Sequence, residues 1–361
     1  MAIPLKDYYD QNYIQNLANK VKSEYNDFKE KNFVKAVLSS EWKNLELKER
    51  MHKITSSLHD FLPKDFQKAI EILIPVAPHF GGYHGILFPL YIELYGQEHW
   101  ALSIDALEKL TPFSSSEFAV RPFLQKHPEE MMKVMLKWSK HKNEHVRRLA
   151  SEGCRPRLPW GMALYNFKKD PSLILPILEN LKNDPSEYVR RSVANNLNDI
   201  SKDNPDVLLK IASKWHGINS NTDRLLKHAM RSMLKKGNPK ALKIFGLGNL
   251  ENISNSPLKI ESSKIKQGTQ LHFSFTIEIK NQESKMVRVE YVLYFCKKND
   301  THTRKVFKLA ESYVNGKKHF QKKHSFADLS TRKHHPGLHY LALQINGIEQ
   351  KKIQFHLLPN H

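Results

Sequence analysis

The sequence has little cysteine and no long apolar run, and both absences narrow the class of protein. Its 361 residues include only two cysteines, Cys154 and Cys296. Because these lie far apart in the chain, neither a disulfide framework nor a zinc cluster can be built from them. The chain has no stretch of about 18 apolar residues, and its start lacks the apolar region of a signal peptide. A membrane span and export are therefore disfavoured, and we expect a cytoplasmic protein.

Acidic residues are scarce relative to basic ones. Lys and Arg number 57 against 37 Asp and Glu, which gives a formal net charge of +20. Hydrophobic residues make up 40% of the chain, too many for disorder, and the length suits two or three domains. A positive charge of this size favours polyanionic partners, because each neutralised phosphate releases condensed counterions. Nucleic acid is therefore the first partner to test.

The first two thirds of the chain carry a helical repeat. From about Asp10 to Phe245, apolar residues recur at helical spacing. The motif Val-Arg-Arg occurs at Val146 and again at Val189, an offset of 43 residues, and another helical segment precedes each copy. Helix pairs that recur every 40 to 47 residues are typical of HEAT-like repeats, which stack into a curved solenoid. We therefore predict an all-α HEAT-like repeat solenoid over residues 1–248.

The last third has the alternating pattern of β-strands. Residues 249–257 have the composition of a linker. Alternating runs then predict strands at 270–279, 286–295, 339–345 and 350–357. Asn346-Gly347, between two of these runs, is typical of a type I′ hairpin. About seven short strands in about 100 residues favour an immunoglobulin-like sandwich, which we place at 258–361. The predicted chain is thus multidomain, a solenoid followed by a small all-β sandwich.

The predicted β domain is the more basic part of the chain. From Lys259 to the end it has 19 Lys and Arg against 8 Asp and Glu, a net charge of +11. Two lysine pairs, Lys317-Lys318 and Lys322-Lys323, are expected in its loops. Scattered lysines would suit a solubilising surface, but paired lysines on a basic chain suit phosphate contacts better. We therefore expect both domains to bind nucleic acid.

Arginines and carboxylates share one side of the repeated helices. Arg148 and Glu152 are one turn apart, and Arg191 and Asp199 are two turns apart. Equivalent helices of neighbouring repeats would therefore place Glu152 and Asp199 on one shared face. Ordinary surface salt bridges, which contribute little to stability, are an alternative explanation of the same pattern.

A stiff basic loop and one further acid complete the candidate site. The segment 154–161 holds Arg155, Arg157, two prolines and Trp160. Such a loop could present the indole for stacking on a sugar or base, although a tryptophan is also often buried in the core. Glu117 follows Ser114 by three residues, which is the spacing of a helix-capping box. Taken alone, Glu117 suits a cap better than a catalyst.

These motifs together resemble the AlkC-type DNA alkylation-repair glycosylases, a branch of the HEAT-like glycosylase superfamily. The resemblance spans about Lys6 to Phe245 and is carried by Ser-Ser-Glu117-Phe-Ala-Val-Arg-Pro-Phe, by Ser-Glu152-Gly-Cys-Arg-Pro-Arg-Leu-Pro-Trp160, and by the repeat motif that ends at Asp199. The basic tail is similar to the extra domain of one AlkC subgroup. The resemblance implies excision of N3-alkylated bases, 3-methylcytosine and 3-methyladenine, from duplex DNA without turning the damaged nucleotide into a deep pocket.

The resemblance also implies a catalytic set of Glu117, Glu152, Asp199 and Trp160. We hypothesise that Glu152 and Asp199 stabilise an oxocarbenium-like sugar and position water, while Trp160 packs on the deoxyribose. Glu117 would support the site or contact the lesion. Because an alkylated base is already cationic and leaves easily, the reaction needs no metal or cofactor, and a monomer would suffice. Flanking phosphates would be bound by Arg148, Arg155, Arg157, Arg190 and Arg191, and by Lys317, Lys318, Lys322 and Lys323 of the β domain.

Two other functions fit the sequence less well. A non-enzymatic helical-repeat scaffold could bind nucleic acid or an acidic protein, with the carboxylates as surface pairs. A carbohydrate-active enzyme could use the same acids, with the β domain as a sugar-binding module. The net charge of +20 argues against the carbohydrate-active enzyme, because a sugar-binding groove calls for aromatic residues and a modest charge.

Overall fold

The computed structural model describes residues 4–248, 250–280, 284–328 and 333–360. Within these ranges the chain is helical as far as Ile244 and forms strands from Ile253 onward. This confirms the predicted fold class, in which an all-α region precedes a small all-β domain. The chain divides into two compact units: a helical unit, which runs to Leu208 and includes Gly217–Ala229, and a C-terminal unit, which comprises Leu209–His216 and the chain from Met230 onward.

The helical region begins with a series of short amphipathic helices. Its first eight are α1 Gln11–Glu24, α2 Glu30–Val37, α3 Leu47–Phe61, α4 Phe66–Val76, α5 Leu87–Tyr95, α6 Trp100–Leu110, α7 Arg121–Lys126 and α8 Pro128–Trp138. The next eight are α9 Glu144–Gly153, α10 Tyr165–Lys169, α11 Leu175–Leu181, α12 Glu187–Asp203, α13 Pro205–Trp215, α14 Ser220–Ala229, α15 Arg231–Lys235 and α16 Pro239–Ile244. Short 3-10 helices lie at Leu5–Tyr8, Trp42–Asn44, Ala77–His79 and Gly82–Gly85. None of the helices in the described residues is long and apolar enough to cross a membrane.

The 43-residue repeat reappears as a repeat of hydrogen bonds. Arg147 on α9 donates from Nη1 to the carbonyl oxygens of His141 and Lys142, at 3.0 and 2.9 Å. Arg190, which is 43 residues further along on α12, makes the same pair of bonds to Asp184 and Pro185. In both copies the first arginine of Val-Arg-Arg therefore ties its helix to the loop that precedes it.

Small polar contacts hold the repeated helices side by side. The Oγ atoms of Ser151 on α9 and Ser192 on α12 lie 2.7 Å apart in a buried position. Nδ2 of Asn196 donates to the carbonyl oxygen of Ser151 at 2.8 Å, and Nδ2 of Asn198 donates to the carbonyl oxygen of Ala229 on α14 at 2.7 Å. Buried polar groups that are hydrogen-bonded in this way fix the spacing and register of the helices. The candidate site is built on α9, α12 and the loop between α9 and α10.

The C-terminal unit contains two mainly antiparallel sheets that enclose one core. Its strands are β1 Ile253–Asn255, β2 Lys259–Ile260, β3 Lys264–Lys266, β4 Gln270–Ile279, β5 Ser284–Cys296, β6 His302–Asn315, β7 Lys317–Ser325, β8 Gly337–Ile345, β9 Ile348–Glu349 and β10 Ile353–Leu358. The first sheet has the order β1-β4-β2 with β7 also paired to β4, and the second has the order β3-β10-β8-β5-β6 with β9 paired to β8. The only parallel pair among the described strands is β3 with β10. Alternate residues of β4, from Leu271 to Ile279, are buried in the core between the sheets.

Part of the predicted linker belongs to the sheet. Strand β1 lies inside residues 249–257, and it pairs with the far end of β4, where Ile253 faces Ile279. Asn249, the first residue of the predicted linker, lies outside the described residues. The composition of this segment signalled turns correctly but could not reveal a three-residue strand, because such a strand is too short to show alternation.

The predicted hairpin is present and packs closely on the last helices. Asn346 and Gly347 join β8 to β9 with φ angles of 46° and 78°, the left-handed values that a type I′ turn requires. A Cβ on Gly237, in the turn between α15 and α16, would lie 2.4 Å from the carbonyl oxygen of Gly347. A Cβ on Gly347 would in turn lie 2.4 Å from Cδ1 of Leu242. Both positions therefore require glycine, and the hairpin and the α15–α16 turn form one packed element.

Candidate active site

A buried arginine holds the loop that follows α9. Arg121, at the start of α7, is only 1% exposed. Its Nη1 donates to the carbonyl oxygen of Gly153 and its Nε donates to that of Met162, both at 2.8 Å. Burial lowers the pKa of Arg121 to about 10, so the guanidinium still carries its charge at neutral pH. Arg121 therefore clamps both ends of the loop, a role that the sequence did not suggest.

The loop presents Trp160 to solvent. Trp160 has a φ angle of 65° and is 57% exposed. Nζ of Lys48, on α3, donates to the carbonyl oxygen of Trp160 at 2.6 Å and fixes the peptide behind the indole. Because non-glycine residues in the left-handed region are strained, the clamped ends of the loop must hold this conformation. The alternative that Trp160 is a core residue is therefore wrong.

Arg155 bridges two buried carboxylates that lie far apart in sequence. Its Nη1 donates to Oε1 of Glu152 at 2.6 Å, and its Nε donates to Oδ2 of Asp199 at 2.9 Å. Glu152 is 5% exposed and Asp199 is 2% exposed. The second oxygen of Asp199 accepts from Nζ of Lys202 at 3.0 Å. Arg155 thus brings Glu152 and Asp199 together, as predicted, and because the pairs are buried the alternative of ordinary surface salt bridges is wrong.

A second arginine joins Glu117 to the same network. Arg148 donates from Nη1 to the carboxylate of Glu117 and, at 2.7 Å, to Oγ of Ser115. Its Nη2 lies 3.5 Å from Oε1 of Glu152. Ser114 does not cap a helix here, because its Oγ donates to the carbonyl oxygen of Gly82 at 2.8 Å. Glu117 is therefore part of the charged network, and its interpretation as half of a capping box is wrong.

The charges in this network balance. Three carboxylates, those of Glu117, Glu152 and Asp199, are matched by Arg148, Arg155 and Lys202. Burial lowers the pKa of Arg155, but the adjacent carboxylates outweigh it and raise that pKa above its usual range. For Arg148, too, burial lowers the pKa, and the carboxylates of Glu152 and Glu117 outweigh it and raise the pKa above its usual range. Both arginines therefore remain cationic, which is what allows three acids to stay together in a poorly hydrated site.

An open cleft of about 610 Å³ exposes part of this network. Glu117, Arg148, Glu152, Arg155 and Trp160 line it. Asp199 does not, since both of its oxygens are engaged by Arg155 and Lys202. Only Oε1 of Glu152 contacts an arginine, and its Oε2 accepts no hydrogen bond from the described residues. Glu152 thus has an oxygen available to a molecule in the cleft, and so does Glu117, since both hydrogen bonds that the described residues make to Glu117 go to its Oε2.

Tyr188 is a cleft residue that the sequence reasoning missed. Its ring lies 5.0 Å from Cζ of Arg148 and it is 41% exposed. It also contacts His145, with the two ring centroids 5.7 Å apart. His145 and Tyr188 occupy equivalent positions of the 43-residue repeat. Each copy of Val-Arg-Arg is directly preceded by a residue with an aromatic ring, and this pattern could have identified Tyr188.

The arginines predicted to contact phosphates fall into two groups. Arg148 and Arg155 are engaged with carboxylates, and Arg157 is paired with Asp203 at 2.6 and 2.9 Å. Arg190 bonds to loop carbonyl oxygens, whereas Arg191 is exposed and pairs with Glu187 at 3.1 Å. A separate cleft of about 330 Å³ between α12 and α14 is lined by both of these residues, together with Arg224 and His228.

The four lysines of the C-terminal unit lie on a strand and not in loops. All belong to β7, which forms an edge of the first sheet beside β4. Side chains alternate along a strand, so Lys317 and Lys323 point to one face while Lys318 and Lys322 point to the other. Lys317 lies 3.4 Å from Glu278, and Lys318 donates to Oγ of Ser312 at 3.2 Å. The lysines thus line both faces of one exposed edge instead of forming a single loop cluster.

Comparisons with known proteins agree with this architecture. Residues 98–233 match the family described as DNA alkylation repair enzyme, and residues 254–359 match the family described as the C-terminal Ig-like domain of protein YhaZ. The Bacillus subtilis (strain 168) protein named Uncharacterized protein YhaZ is 48% identical over 353 residues, which cover 97% of this chain and 98% of that protein. The structure of Pseudomonas fluorescens alkylpurine DNA glycosylase AlkC, bound to DNA containing an abasic site analog, superposes with a TM-score of 0.95 at 35% identity, covering 99% of this chain and 100% of that one.

Proposed function

The chain belongs to the AlkC-type family of DNA alkylation-repair enzymes, and we propose from this that it is a monofunctional DNA glycosylase for N3-alkylated bases. Its substrates would be 3-methylcytosine and 3-methyladenine in duplex DNA. The observation that carries the proposal is the group formed by Glu152, Arg155 and Asp199 beside the exposed indole of Trp160. DNA as the substrate also supports a cytoplasmic location.

The reaction that this geometry supports is hydrolysis at C1′ of the damaged nucleotide. The bond from C1′ to the base nitrogen breaks, and its electron pair neutralises the cationic base, which departs without a general acid. Oε2 of Glu152, which has no partner among the described residues, is suited to accept a proton from the attacking water. Its negative charge also stabilises the positive charge that develops on the sugar.

Asp199 has a different part in this proposal from the one expected from sequence. Because Arg155 and Lys202 occupy both of its oxygens, Asp199 acts through Arg155. We assign it to holding Arg155 in place, and Arg155 in turn orients Glu152. Glu117 likewise holds Arg148 in place, while among the described residues its Oε1 stays free toward the cleft. Asp199 is thus a positioning residue, and Glu152 is the catalytic carboxylate.

Trp160 supplies an aromatic face for the substrate. Its exposed ring and that of Tyr188 line the same open cleft. Stacking on a sugar or base suits an exposed indole, and an open cleft accommodates a nucleotide that is not turned into a deep pocket. Phosphates on either side of the damaged nucleotide would be held by Arg191, by the cleft between α12 and α14, and by the lysines of β7. One chain would supply all of these contacts, so a monomer would suffice.

The direct test is base release from a defined duplex. The purified chain, without added metal, is incubated with DNA that carries one 3-methylcytosine, and free base and alkali-labile abasic sites are measured. We expect release by the unmodified chain and a loss of about 10²- to 10³-fold in Glu152→Gln, the usual effect of removing one stabilising group. Binding to a duplex with an abasic site analog should change little.

Glu24→Gln is the matched control, because Glu24 is an exposed acid on α1, outside the cleft. It should release base at the unmodified rate. No release from either a 3-methylcytosine or a 3-methyladenine duplex, combined with salt-sensitive binding, would overturn the proposal. The chain would then be a helical-repeat scaffold that binds DNA.

A further inference from the structure

A second cavity lies in the helical unit next to the cleft. Its volume is about 180 Å³, and an apolar cavity of about 150 Å³ is known to hold a benzene ring. The cavity therefore has room for one small planar ring system. It shares five lining residues with the cleft: Tyr83, Ile86, Ser115, Phe118 and Trp160. The two spaces thus adjoin each other along these five residues.

The walls of this cavity are mostly apolar. Helix α3 contributes Leu47 and Met51, helix α5 contributes Pro89 and Leu90, and the loop contributes Met162. Lys48 also lines the cavity, but its Nζ is bonded to the carbonyl oxygen of Trp160 at 2.6 Å. Surfaces of this kind favour the flat apolar faces of an aromatic ring.

One carboxylate stands among these apolar side chains. Glu93 of α5 lines the cavity, and in the part of the chain that the structure describes no hydrogen bond or ion pair engages its carboxylate. Burial raises the pKa of Glu93, while the charge of Lys48 opposes that effect. A half-buried acid without a partner is costly to keep, because its desolvation is not compensated. A ligand that brings hydrogen-bond donors to this carboxylate would compensate its desolvation.

We propose that this cavity binds the free nucleobase after it is released from DNA, with the carboxylate of Glu93 accepting hydrogen bonds from the exocyclic amino group. The inference rests on the proposed function, since release must occur in the adjoining cleft. Alkylated adenine and cytosine both have two flat apolar faces and one amino edge, which match the mostly apolar walls and the carboxylate of Glu93; His52 and Ser115 also line the cavity. The cavity takes up the product at the other side of Trp160, so the damaged nucleotide need not enter it before cleavage.

The test uses free 3-methyladenine as the probe and the full-length chain as the receptor. Calorimetry should show saturable binding to the unmodified chain, and added 3-methyladenine should slow multiple-turnover excision. In Glu93→Leu we expect binding to weaken by at least about tenfold, as for the loss of a hydrogen bond to a charged group. The rate of a single excision event should stay within about twofold, because Glu93 has no part in the chemical step.

Hypoxanthine and Glu24→Gln provide the controls. Hypoxanthine resembles adenine in shape but has an oxygen in place of the amino group, so it should bind more weakly than adenine to the unmodified chain. Glu24→Gln should bind 3-methyladenine unchanged, and thermal unfolding of Glu93→Leu shows whether that variant is folded. If Glu93→Leu proves unfolded, the hypoxanthine comparison on the unmodified chain decides the proposal.

The outcomes separate this proposal from the proposed function. Excision by the unmodified chain without any binding of free 3-methyladenine would overturn the base cavity and leave the glycosylase intact. Equal binding of adenine and hypoxanthine, or equal binding of 3-methyladenine by a folded Glu93→Leu variant, would overturn the role of Glu93. Binding of the free base without excision from either duplex would support the cavity and remove the glycosylase function.

Discussion

Nε of Arg155 lies 2.9 Å from Oδ2 of Asp199, although the two residues are separated by 44 positions in the chain. This contact joins the loop after α9 to the middle of α12. Through its Nη1, the same guanidinium holds Glu152 at 2.6 Å. One side chain therefore keeps two buried acids in place.

Replacing Arg155 should destabilise the fold and abolish base release. In Arg155→Met, Glu152 keeps only the more distant Arg148 and Asp199 keeps only Lys202. We expect the free energy of unfolding to fall by about 3–5 kcal/mol, as when one partner of a buried ion pair is removed. Arg155→Lys retains the charge but not the fork of donors, so its free energy of unfolding should lie between those of the unmodified chain and Arg155→Met. Urea denaturation of both variants provides the measurement, and an unchanged midpoint for Arg155→Met would contradict the bridging role.

Trp160 should matter for activity but not for stability. Asparagine tolerates the left-handed backbone that Trp160 adopts at φ 65°, so Trp160→Asn should be as stable as the unmodified chain. Base release should slow by about ten- to a hundredfold, in line with ~1–3 kcal/mol for one stacked ring. Thermal unfolding and single-turnover kinetics measure the two effects. A large loss of stability would show that the indole packs in the fold after all.

The β7 edge should contribute to DNA affinity through charge alone. Lys322→Gln combined with Lys323→Gln removes two exposed cations from opposite faces of β7. If both contact phosphates, the slope of log affinity against log salt concentration should become shallower by about 0.9 per contact. Fluorescence anisotropy with an abasic-analog duplex at several salt concentrations gives the slope. Lys35→Gln, an exposed lysine of α2, is the control and should leave the slope unchanged.

The C-terminal unit should lose stability in mild acid. His339 is fully buried, accepts from the backbone N–H of Cys296 through Nδ1, and donates to the carbonyl oxygen of His335. Burial lowers the pKa of His339 below its ordinary value of 6.5; the hydrogen bond to the backbone of His335 opposes this, while the charges of nearby His302, His334 and His335 add to it. The unfolded chain therefore takes up a proton near 6.5 that the folded chain resists. This contribution to stability is present above that pH and is lost as the pH falls through the lower folded value.

Thermal unfolding of the full chain at about pH 7.5 and pH 5.5 tests this linkage. The drop in melting temperature should be larger for the unmodified chain than for His339→Gln, whose side chain does not titrate. An equal drop in both would assign the acid sensitivity to other groups.

The broad architecture was readable from sequence because it rests on periodicity. The strand predicted at 270–279 is β4 without any shift, and the region predicted to be helical as far as Phe245 ends its last helix at Ile244. Strands β6 and β7 were not predicted, because long polar and charged stretches on exposed edges do not alternate clearly. The lysine pairs were therefore placed in loops, where charged runs are more common.

The residues of the site were identified more easily than their connections. Motif spacing and family resemblance brought Glu117, Glu152, Asp199 and Trp160 to attention. The sequence could not show that Arg155 donates hydrogen bonds to two acids, because its partner on α12 is fixed by the packing of helices across the repeat. Arg121 was also missed, since its importance lies in two backbone carbonyl oxygens that sequence does not display.

Gly237 packs tightly against Gly347, and this packing decides which segments a transferred β domain must include. Leu242 of α16 is buried, and the hairpin turn lies directly against it. The compact unit that holds the strands begins again at Met230 and not at the polar segment 249–257. A transfer of the strands alone would uncover Leu242, so a transfer that keeps Leu242 buried carries α15 and α16 along with the sheets. A transplanted form of this domain should therefore need the helix pair as well as the sandwich, although the family match to the Ig-like domain begins only at residue 254.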